Sequence, residues 1–471
     1  MLIQVRSPRR RAALLAATTC ALLIVSGTAG AAGAASAVGA AGTPGTGTGA
    51  DGAARAWSVD LADVGADDAG VLASEDGLRL DPKDPATASG GAPDAASGAD
   101  DPSDADGARS TGTAAGAASP ERREVSGQLV ADPVELDSPA SGVAADVDAA
   151  TPAGTSVLVD IRGRYADEGP DSWTEWVPAG TPLPVAARTV QARVTLVGDA
   201  GDGGDSEAGD VSPVVREVTL TPETGRSRSL QEVEARPTSG ERAYTVYATR
   251  EGLVGGTTAN GHVITSRDHF VALPSRRGLS SNNSGSYSVR VCAASTGRCA
   301  YAPVWDVGPW NTTDDHWNAS GTRQSWADLP QGKPQAQAAY QDGYNGGLDG
   351  FGRRVANPAG IDLADGTFWD ALGLTDNAWT TVTYLWTGSG PKGIVRTSGG
   401  PLTVRSGPGT GRSAVGQAGN HANVVIECTA TGTTVDGYYG TSNVWNRIGP
   451  GNWISDAYVN TGSSGPVAPA C

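Results

Sequence analysis

The sequence is poor in the residues on which metal-binding and redox proteins depend. Its 471 residues include five cysteines, four histidines and three lysines. No two cysteines have the C-x-x-C spacing, which argues against a zinc knuckle or a redox-active dithiol. The H-E-x-x-H motif of zinc hydrolases is also missing. We therefore expect neither a metal ion nor any other cofactor.

Long apolar runs are scarce as well, and the one that stands out covers residues 12–25. It follows an arginine-rich stretch at 6–11 and precedes the small residues Ala35-Ser36-Ala37. This order is typical of a signal peptide, predicted over residues 1–37, and the run is too short to span a membrane. The arginines leave the general secretory and twin-arginine routes both open. We predict a secreted protein without a membrane span.

Basic charge is in short supply, since the formal net charge is −17. Residues 51–150 hold much of the excess, with 21 acidic and 6 basic side chains. No basic stripe is present to neutralise phosphates, which argues against nucleic acid as a partner. The strong preference for arginine over lysine is typical of a GC-rich coding sequence. Together with the export signal, it favours an actinobacterial source.

The cysteines that remain after signal removal predict two disulfides, because an even count is usual in exported proteins. They are Cys292, Cys299, Cys428 and Cys471, and three pairings are possible. Cys292 and Cys299 flank a predicted hairpin turn, where facing residues lie close enough to be bridged. The simplest pairing is therefore 292 with 299 and 428 with 471.

The chain divides by composition into a linker and three β regions. Residues 38–120 are acidic and rich in Ala, Gly and Asp, and predict a disordered linker with a weak strand-like patch. Residues 121–225 alternate apolar and polar residues in short runs, which predicts a β-sandwich. In "TVQARVTLVG", the alternation places Val194 in the core and Arg193 outside. We expect a mainly β fold, continued by regions at 242–387 and 393–471.

The region 242–387 contains three of the four histidines and several aspartates. They are compatible with an acid–base site built on a carboxylate beside a histidine, or with a zinc site. The spacing of His262 and His269 fits no zinc geometry that we can name. We favour the carboxylate.

Four segments in this region, "TTANGHVI", "HFVALPS", "VWDVGPW" and "GIDLADGTFWDAL", resemble the double-psi β-barrel domain. The nearest groups are the rare lipoprotein A lytic transglycosylases and the expansin-like proteins. The resemblance covers residues 244–385, with 311–358 as an insertion. It implies a barrel that acts on or holds peptidoglycan glycan.

The resemblance also assigns roles to single residues. Asp306 takes the position of the acid that protonates the glycosidic oxygen. His269 would orient the substrate or share the proton, and must then lie within reach of Asp306. Asp362 is either a neighbouring carboxylate that raises the pKa of Asp306 or a helix N-cap. His262 stands where the family has an acidic residue, and so a barrel that only binds is an alternative.

A polysaccharide groove would need polar and aromatic side chains near this acid. The predicted substrate-binding residues are Asn260, His262, Asp268, Trp310 and Trp317. By contrast, we assign Trp305, Trp369 and Trp386 to the core, because an exported barrel also buries aromatic rings.

The last region, 393–471, predicts a small barrel of short strands. Its segments "LTVRSGPGT" and "WNRIGPGNWISDAYV" resemble the bacterial SH3-like domain of cell-wall enzymes, which implies binding of peptidoglycan peptides. The fold prediction is thus a β-sandwich, a double-psi β-barrel and an SH3-like barrel joined by disordered linkers. We expect a monomeric wall protein that cleaves or remodels glycan. The alternatives are a wall-binding protein without catalysis, a zinc-dependent wall hydrolase, and an interaction protein that binds a partner through its sandwich.

Overall fold

The computed structural model describes residues 55–82, 123–166, 171–200, 211–224 and 240–471. The predicted signal peptide, 1–37, lies outside these residues. So does the predicted linker, except for 55–82. Among the described residues, no helix is long and apolar enough to cross a membrane.

Nine strands form the first sheet, which folds over itself as a β-sandwich. The order is β2-β3-β9-β5-β8-β6-β7, with β1 on β9 and β4 on β8. The second half of the long strand β8 pairs with β4 and β6, whereas its first half pairs with β5. The strands are β1 (Trp57–Ser58), β2 (Val71–Ser74), β3 (Gly77–Leu80), β4 (Arg123–Val130), β5 (Val134–Ala150), β6 (Ser156–Gly163), β7 (Val177–Pro178), β8 (Pro182–Ala200) and β9 (Val214–Glu223).

The alternation along β8 behaves as predicted on one face only. Val194 is fully buried in the sandwich core. Arg193, predicted to lie outside, is also buried, because the barrel covers this face of the sheet. Its guanidinium lies 4.6 Å from the Trp176 ring and donates to the Arg276 carbonyl of the barrel. The alternating pattern of β8 therefore belongs to a strand that is buried on both faces.

Six strands close into a ring, in the order β11-β14-β10-β15-β12-β13, with β13 returning to β11. The β10–β14 and β11–β13 pairs are parallel, and the others are antiparallel. Aliphatic and aromatic side chains fill the ring. The strands are β10 (Arg242–Arg250), β11 (Val271–Leu273), β12 (Ser288–Ala293), β13 (Arg298–Val307), β14 (Ala359–Leu363) and β15 (Ala378–Tyr384).

Short helices connect the strands of this barrel. The α-helix α1 (Gln335–Asp342) lies in the long connection between β13 and β14, the stretch predicted as an insertion. It packs through Ala336 and Ala339 against the outside of the barrel. The remaining turns are the 3-10 helices Arg276–Gly278, Tyr344–Gly347 and Leu385–Thr387 and the π-helix Gly366–Ala371.

The C-terminal region continues the barrel sheet, because β18 pairs with β13 in parallel. The sheet goes on through β17, β22, β21 and β20, and a second sheet has the order β19-β16-β23. A 3-10 helix covers Asp456–Tyr458. The strands are β16 (Lys392–Val395), β17 (Leu402–Arg405), β18 (Ala414–Ala418), β19 (Asn423–Val425), β20 (Cys428–Gly437), β21 (Gly440–Gly449), β22 (Asn452–Ser455) and β23 (Val459–Asn460).

Both predicted disulfides are present. Cys292 pairs with Cys299 across the β12–β13 hairpin. Cys428, at the start of β20, pairs with the last residue, Cys471.

The loop between β6 and β7 holds the sandwich against the barrel. Glu175 of this loop accepts hydrogen bonds from the indole N–H groups of Trp317 and Trp386, both at 2.8 Å. Its second oxygen accepts from the Asn318 amide at 2.6 Å. Contacts of this kind join the three β regions into one compact unit.

Candidate functional site

Strand register brings two predicted carboxylates into one row across the barrel. β11 lies between β13 and β14, and its Ala272 pairs with Asp306 on one side and with Asp362 on the other. Thr249 of β10 pairs with Asp362 and extends the row. Because neighbouring strands lie about 4.8 Å apart, the backbones of Asp306 and Asp362 are roughly 10 Å apart.

Asp306 is buried and holds the turn that the sequence motifs place beside it. Its Oδ1 accepts hydrogen bonds from the backbone N–H groups of Ala259 and Val307, both at 2.8 Å. Its relative exposure is 1%. The "ANG" turn and the "DVGP" strand end therefore meet through a side-chain bond, and Asp306 does not face open solvent.

Glu251 is the third carboxyl group of the site, and the sequence reasoning missed it. It follows β10, where its N–H donates to the Leu363 carbonyl at 2.9 Å. Both its side-chain oxygens are buried, and no N–H or hydroxyl group of the described residues donates to them. Asp306 is the carboxyl group that acts on it most strongly. Two neighbouring carboxyl groups can share a hydrogen bond only if one of them carries a proton.

Burial raises the pKa of Glu251 well above its usual range, and the nearby Asp306, Asp362 and Asp365 raise it further. We therefore assign the shared proton to Glu251. The signal that could have found this residue is weak. An acidic side chain at the end of an apolar strand is usually a solvated turn residue.

Asp362 is a strand residue of β14, and the helix N-cap alternative is wrong. It accepts a hydrogen bond from the Thr249 hydroxyl. Burial raises the pKa of Asp362 to about 7. The Thr249 hydrogen bond lowers this pKa, and the charge of Asp306 raises it. The N-cap of the following π-helix is Asp365, which makes no capping bond through its side chain. That carboxylate instead pairs with Arg250 at 3.0 Å.

His269 bonds to the C-terminal region, and its predicted partnership with Asp306 is wrong. Its Nε2 lies 2.8 Å from Oε1 of Gln417 on β18. Burial lowers its pKa, against the Gln417 bond. The backbone explains the separation, because Ala272, three residues further along an extended chain, is the residue that pairs with Asp306. Three residues of strand span about 10 Å.

Asn260, His262 and Asp268 lie in the hairpin of residues 253–264 and the turn after it. Asn260 is fully buried, and its side-chain oxygen Oδ1 accepts hydrogen bonds from the Thr258 hydroxyl and the backbone N–H of His262. His262 Nε2 lies 2.7 Å from Asp268, which also accepts from the N–H and hydroxyl of Thr265. Burial tends to raise the pKa of Asp268, but these bonds outweigh it and lower the pKa. All three side chains hold the local backbone.

Trp310 and Trp317 are buried, at 1% and 0% exposure, and offer no face to a sugar. Trp310 packs against the alanines of α1, and Trp317 bonds to Glu175 of the sandwich. Trp369, assigned to the core, is instead 37% exposed. Arg250 and Arg267 lie over its ring at 4.7 and 4.6 Å. Trp310 and Trp317 therefore do not form the predicted sugar-binding groove, because segments distant in sequence cover both rings.

Across the described part of the chain, no group of three or more His, Cys, Asp or Glu side chains is arranged to hold a metal ion. The third histidine of region 242–387 is His316, which is fully buried. Its Nε2 lies 2.7 Å from the Tyr384 hydroxyl. Burial lowers its pKa to about 3.

A cleft of about 390 Å³ opens in the C-terminal region. Residues from both segments quoted above for this region line it. Leu402, Thr403 and Arg405 come from "LTVRSGPGT", and Trp445, Ser455 and Tyr458 come from "WNRIGPGNWISDAYV". Residues 399–400, both glycine, bring main chain to its edge.

Comparison with known proteins gives one family model and two relatives. Residues 242–383 match the model described as "Domain of unknown function (DUF8814)". This chain is 46% identical over 87 residues to "Uncharacterized protein YraI" of Bacillus subtilis (strain 168), covering 17% of this chain and 72% of that protein. It is 45% identical over 86 residues to "Uncharacterized protein YraJ" of the same strain, covering 17% and 73%. Over that shared segment, the chain belongs to the same family as these two Bacillus subtilis proteins.

Proposed function

We propose that this is an exported bacterial cell-wall protein that binds peptidoglycan through its C-terminal cleft. The observation that carries the proposal is that both segments resembling the SH3-like domain of wall enzymes line the same cleft. A volume of about 390 Å³ is of the size that holds a small ligand. The cleft is the binding site and the barrel is the body that supports it.

The lining of the cleft suits a short peptide. The guanidinium of Arg405 provides N–H donors for a carboxylate or a peptide carbonyl. The hydroxyl groups of Ser455 and Tyr458 both donate and accept hydrogen bonds. The two glycines let an extended peptide approach the main chain closely. Stem or cross-bridge peptides of peptidoglycan have this chemistry.

The six-stranded ring, with its two parallel pairs, supports the second part of the proposal, a double-psi barrel that contacts wall glycan. Its buried carboxyl groups favour the form of this proposal in which the barrel binds without cleaving. Asp306 lies under the hairpin 253–264, and Ala259 of that hairpin donates to it. A glycan would reach the carboxylate only after the hairpin moved.

One observation favours glycan cleavage as a second candidate function. Burial and the charge of Asp306 raise the pKa of Glu251, which favours its protonated form. A general acid must carry a proton at the working pH, as this form does. Glu251 would then give its proton to the glycosidic oxygen as the bond from that oxygen to the anomeric carbon breaks, and the Asp306 carboxylate would balance the positive charge on that carbon. A hydroxyl of the same sugar would form the new bond to the anomeric carbon, and its proton would return to Glu251.

Incubation with purified peptidoglycan separates the two candidates. The insoluble wall is pelleted to measure binding, and the supernatant is analysed by mass spectrometry for released fragments. Binding without fragments supports the wall-binding function. Fragments that disappear in the Glu251→Gln variant support cleavage. A protein that neither pellets with wall nor releases fragments would contradict both.

A further inference from the structure

Three aromatic side chains lie together on the outer face of the barrel, and none of them lines the C-terminal cleft. Tyr247 of β10 and Trp379 of β15 are directly opposite each other in register. Tyr340 lies on α1, which packs against Tyr247 through its alanines. Trp379 is 42% exposed and Tyr340 is 54% exposed. Large aromatic rings left this open on a folded surface commonly mark a binding site.

The rings of Tyr247 and Trp379 meet as two walls of a corner. Their centroids are 5.3 Å apart and their planes are inclined at 69°. An aromatic face carries partial negative charge, and two inclined faces can contact one cation together. Cations of this kind bind best within about 6 Å of a ring centroid.

The charge at the edge of the corner is negative. Asp376 lies in the exposed turn before β15 and acts on Tyr247. Burial raises the pKa of Tyr247, and the charges of Asp376 and Tyr340 raise it further. Trp369 shows the contrast, because the guanidinium groups of Arg250 and Arg267 already lie over its ring. On this barrel, two guanidinium groups of the chain lie over the exposed ring of Trp369, whereas the exposed ring of Trp379 contacts Tyr247.

We infer that Tyr247, Tyr340, Trp379 and Asp376 form a binding site for an alkylammonium group. The aromatic faces contact the charged end of the ligand, and the carboxylate balances its charge. A primary amine at the end of an alkyl chain and a trimethylammonium group share this chemistry. The inference is separate from the proposed function, since it uses other residues.

Fluorine NMR of the full chain labelled with 5-fluorotryptophan tests the site. The sequence has 12 tryptophans, and the resonances of Trp379 and Trp369 are assigned from their Phe variants. The protein is titrated with choline and, separately, with Nα-acetyl-lysine amide, to distinguish the two sources of the cation. The control ligand is 3,3-dimethyl-1-butanol, which has the shape of choline without its charge. Chitotetraose tests a sugar in place of a cation.

We expect at least one of the two cations to shift the Trp379 resonance with millimolar affinity and to leave that of Trp369 unchanged. The neutral alcohol should bind at least tenfold more weakly than choline. Asp376→Asn and Tyr340→Ala should each weaken binding several-fold, and both residues are exposed, so the fold should survive. Equal shifts from the neutral alcohol, a response to chitotetraose alone, or no shift with any ligand would overturn the inference. Unchanged affinity in Asp376→Asn would overturn the role of the carboxylate.

Discussion

Glu251 directly follows β10 and Asp306 lies on β13, two strands that are not neighbours in the barrel, yet the charge of Asp306 helps to raise the pKa of the buried Glu251 carboxyl group. Asp306 is held by two backbone N–H groups, whereas no N–H or hydroxyl of the described residues donates to Glu251. A proton on Glu251 therefore reduces the repulsion between the two carboxyl groups. Asp362, in the same row as Asp306, is the third acidic group of the site. Like that of Glu251, its pKa is raised.

The first prediction concerns stability against pH. The pKa of Asp362 is about 7 in the folded protein against an ordinary value of 3.8. A folded-state pKa above the unfolded value stabilises the protein fully below the unfolded value, and this stabilisation is lost as pH rises through the folded one. The Asp362 carboxyl group should thus lower the stability of the wild type as the pH rises from 4 to 8. Glu251, raised in the same direction, should add to the loss.

Asp362→Asn should flatten this dependence and, at pH 8, unfold with a free energy higher than that of the wild type by roughly 1–3 kcal/mol. Urea denaturation at pH 5 and pH 8 measures both quantities. Asp370→Asn, an exposed carboxylate, is the control and should keep the wild-type dependence. The same difference in stability between pH 5 and pH 8 in Asp362→Asn as in the wild type would rule out the buried proton on Asp362.

The second prediction concerns the C-terminal cleft. Arg405→Ala and Tyr458→Ala remove a guanidinium and a hydroxyl from its lining, and each should reduce pelleting with insoluble wall by about tenfold. Arg447→Ala is the matched control, since it removes the same charge from the region but does not line the cleft. Point variants are preferable to deletion of 393–471, because β18 pairs with β13 and its loss would expose a barrel strand. Undiminished pelleting of Arg405→Ala and Tyr458→Ala would move the anchor to another part of the chain.

A third prediction applies if the wild type releases glycan fragments. Glu251→Gln and Asp306→Asn should then lower the rate by about 10²–10⁴-fold, which is the usual contribution of general acid catalysis. His269→Ala should leave the rate within a few-fold, because its imidazole bonds to Gln417. A chelator should have no effect. Loss of activity on chelation would favour the zinc hydrolase instead.

The fourth prediction concerns the contact between sandwich and barrel. Glu175→Ala removes the carboxylate that accepts from the indole N–H groups of Trp317 and Trp386, and it removes one of the two acceptors of the Asn318 amide, which also donates to Asp315. Buried donors without partners cost about 1–3 kcal/mol each, and solvent entering the gap offsets part of this. We expect a loss of roughly 2–4 kcal/mol in urea denaturation. Glu135→Ala, an exposed residue of the same sandwich, should change stability by less than about 0.5 kcal/mol. Equal effects of the two variants would contradict the contact.

Local order in the chain is what the sequence by itself determined. Period-two alternation marked the strands, and the hairpin around Ser295-Thr296-Gly297 brought Cys292 opposite Cys299. The same holds for the strand-like patch in the linker, which supplies β1–β3 of the sandwich. These features depend on residues a few positions apart, whose geometry the backbone fixes.

Only the tertiary structure decided which of those residues share a site. It placed Glu251 beside Asp306, sent His269 to Gln417, and buried Trp310 and Trp317 under α1 and the sandwich loop. No local pattern distinguishes an aromatic ring that a distant segment covers from one that remains open, as Trp379 does. The physical reason is that burial and pKa shifts come from groups far apart in sequence, which meet only when the sheets close.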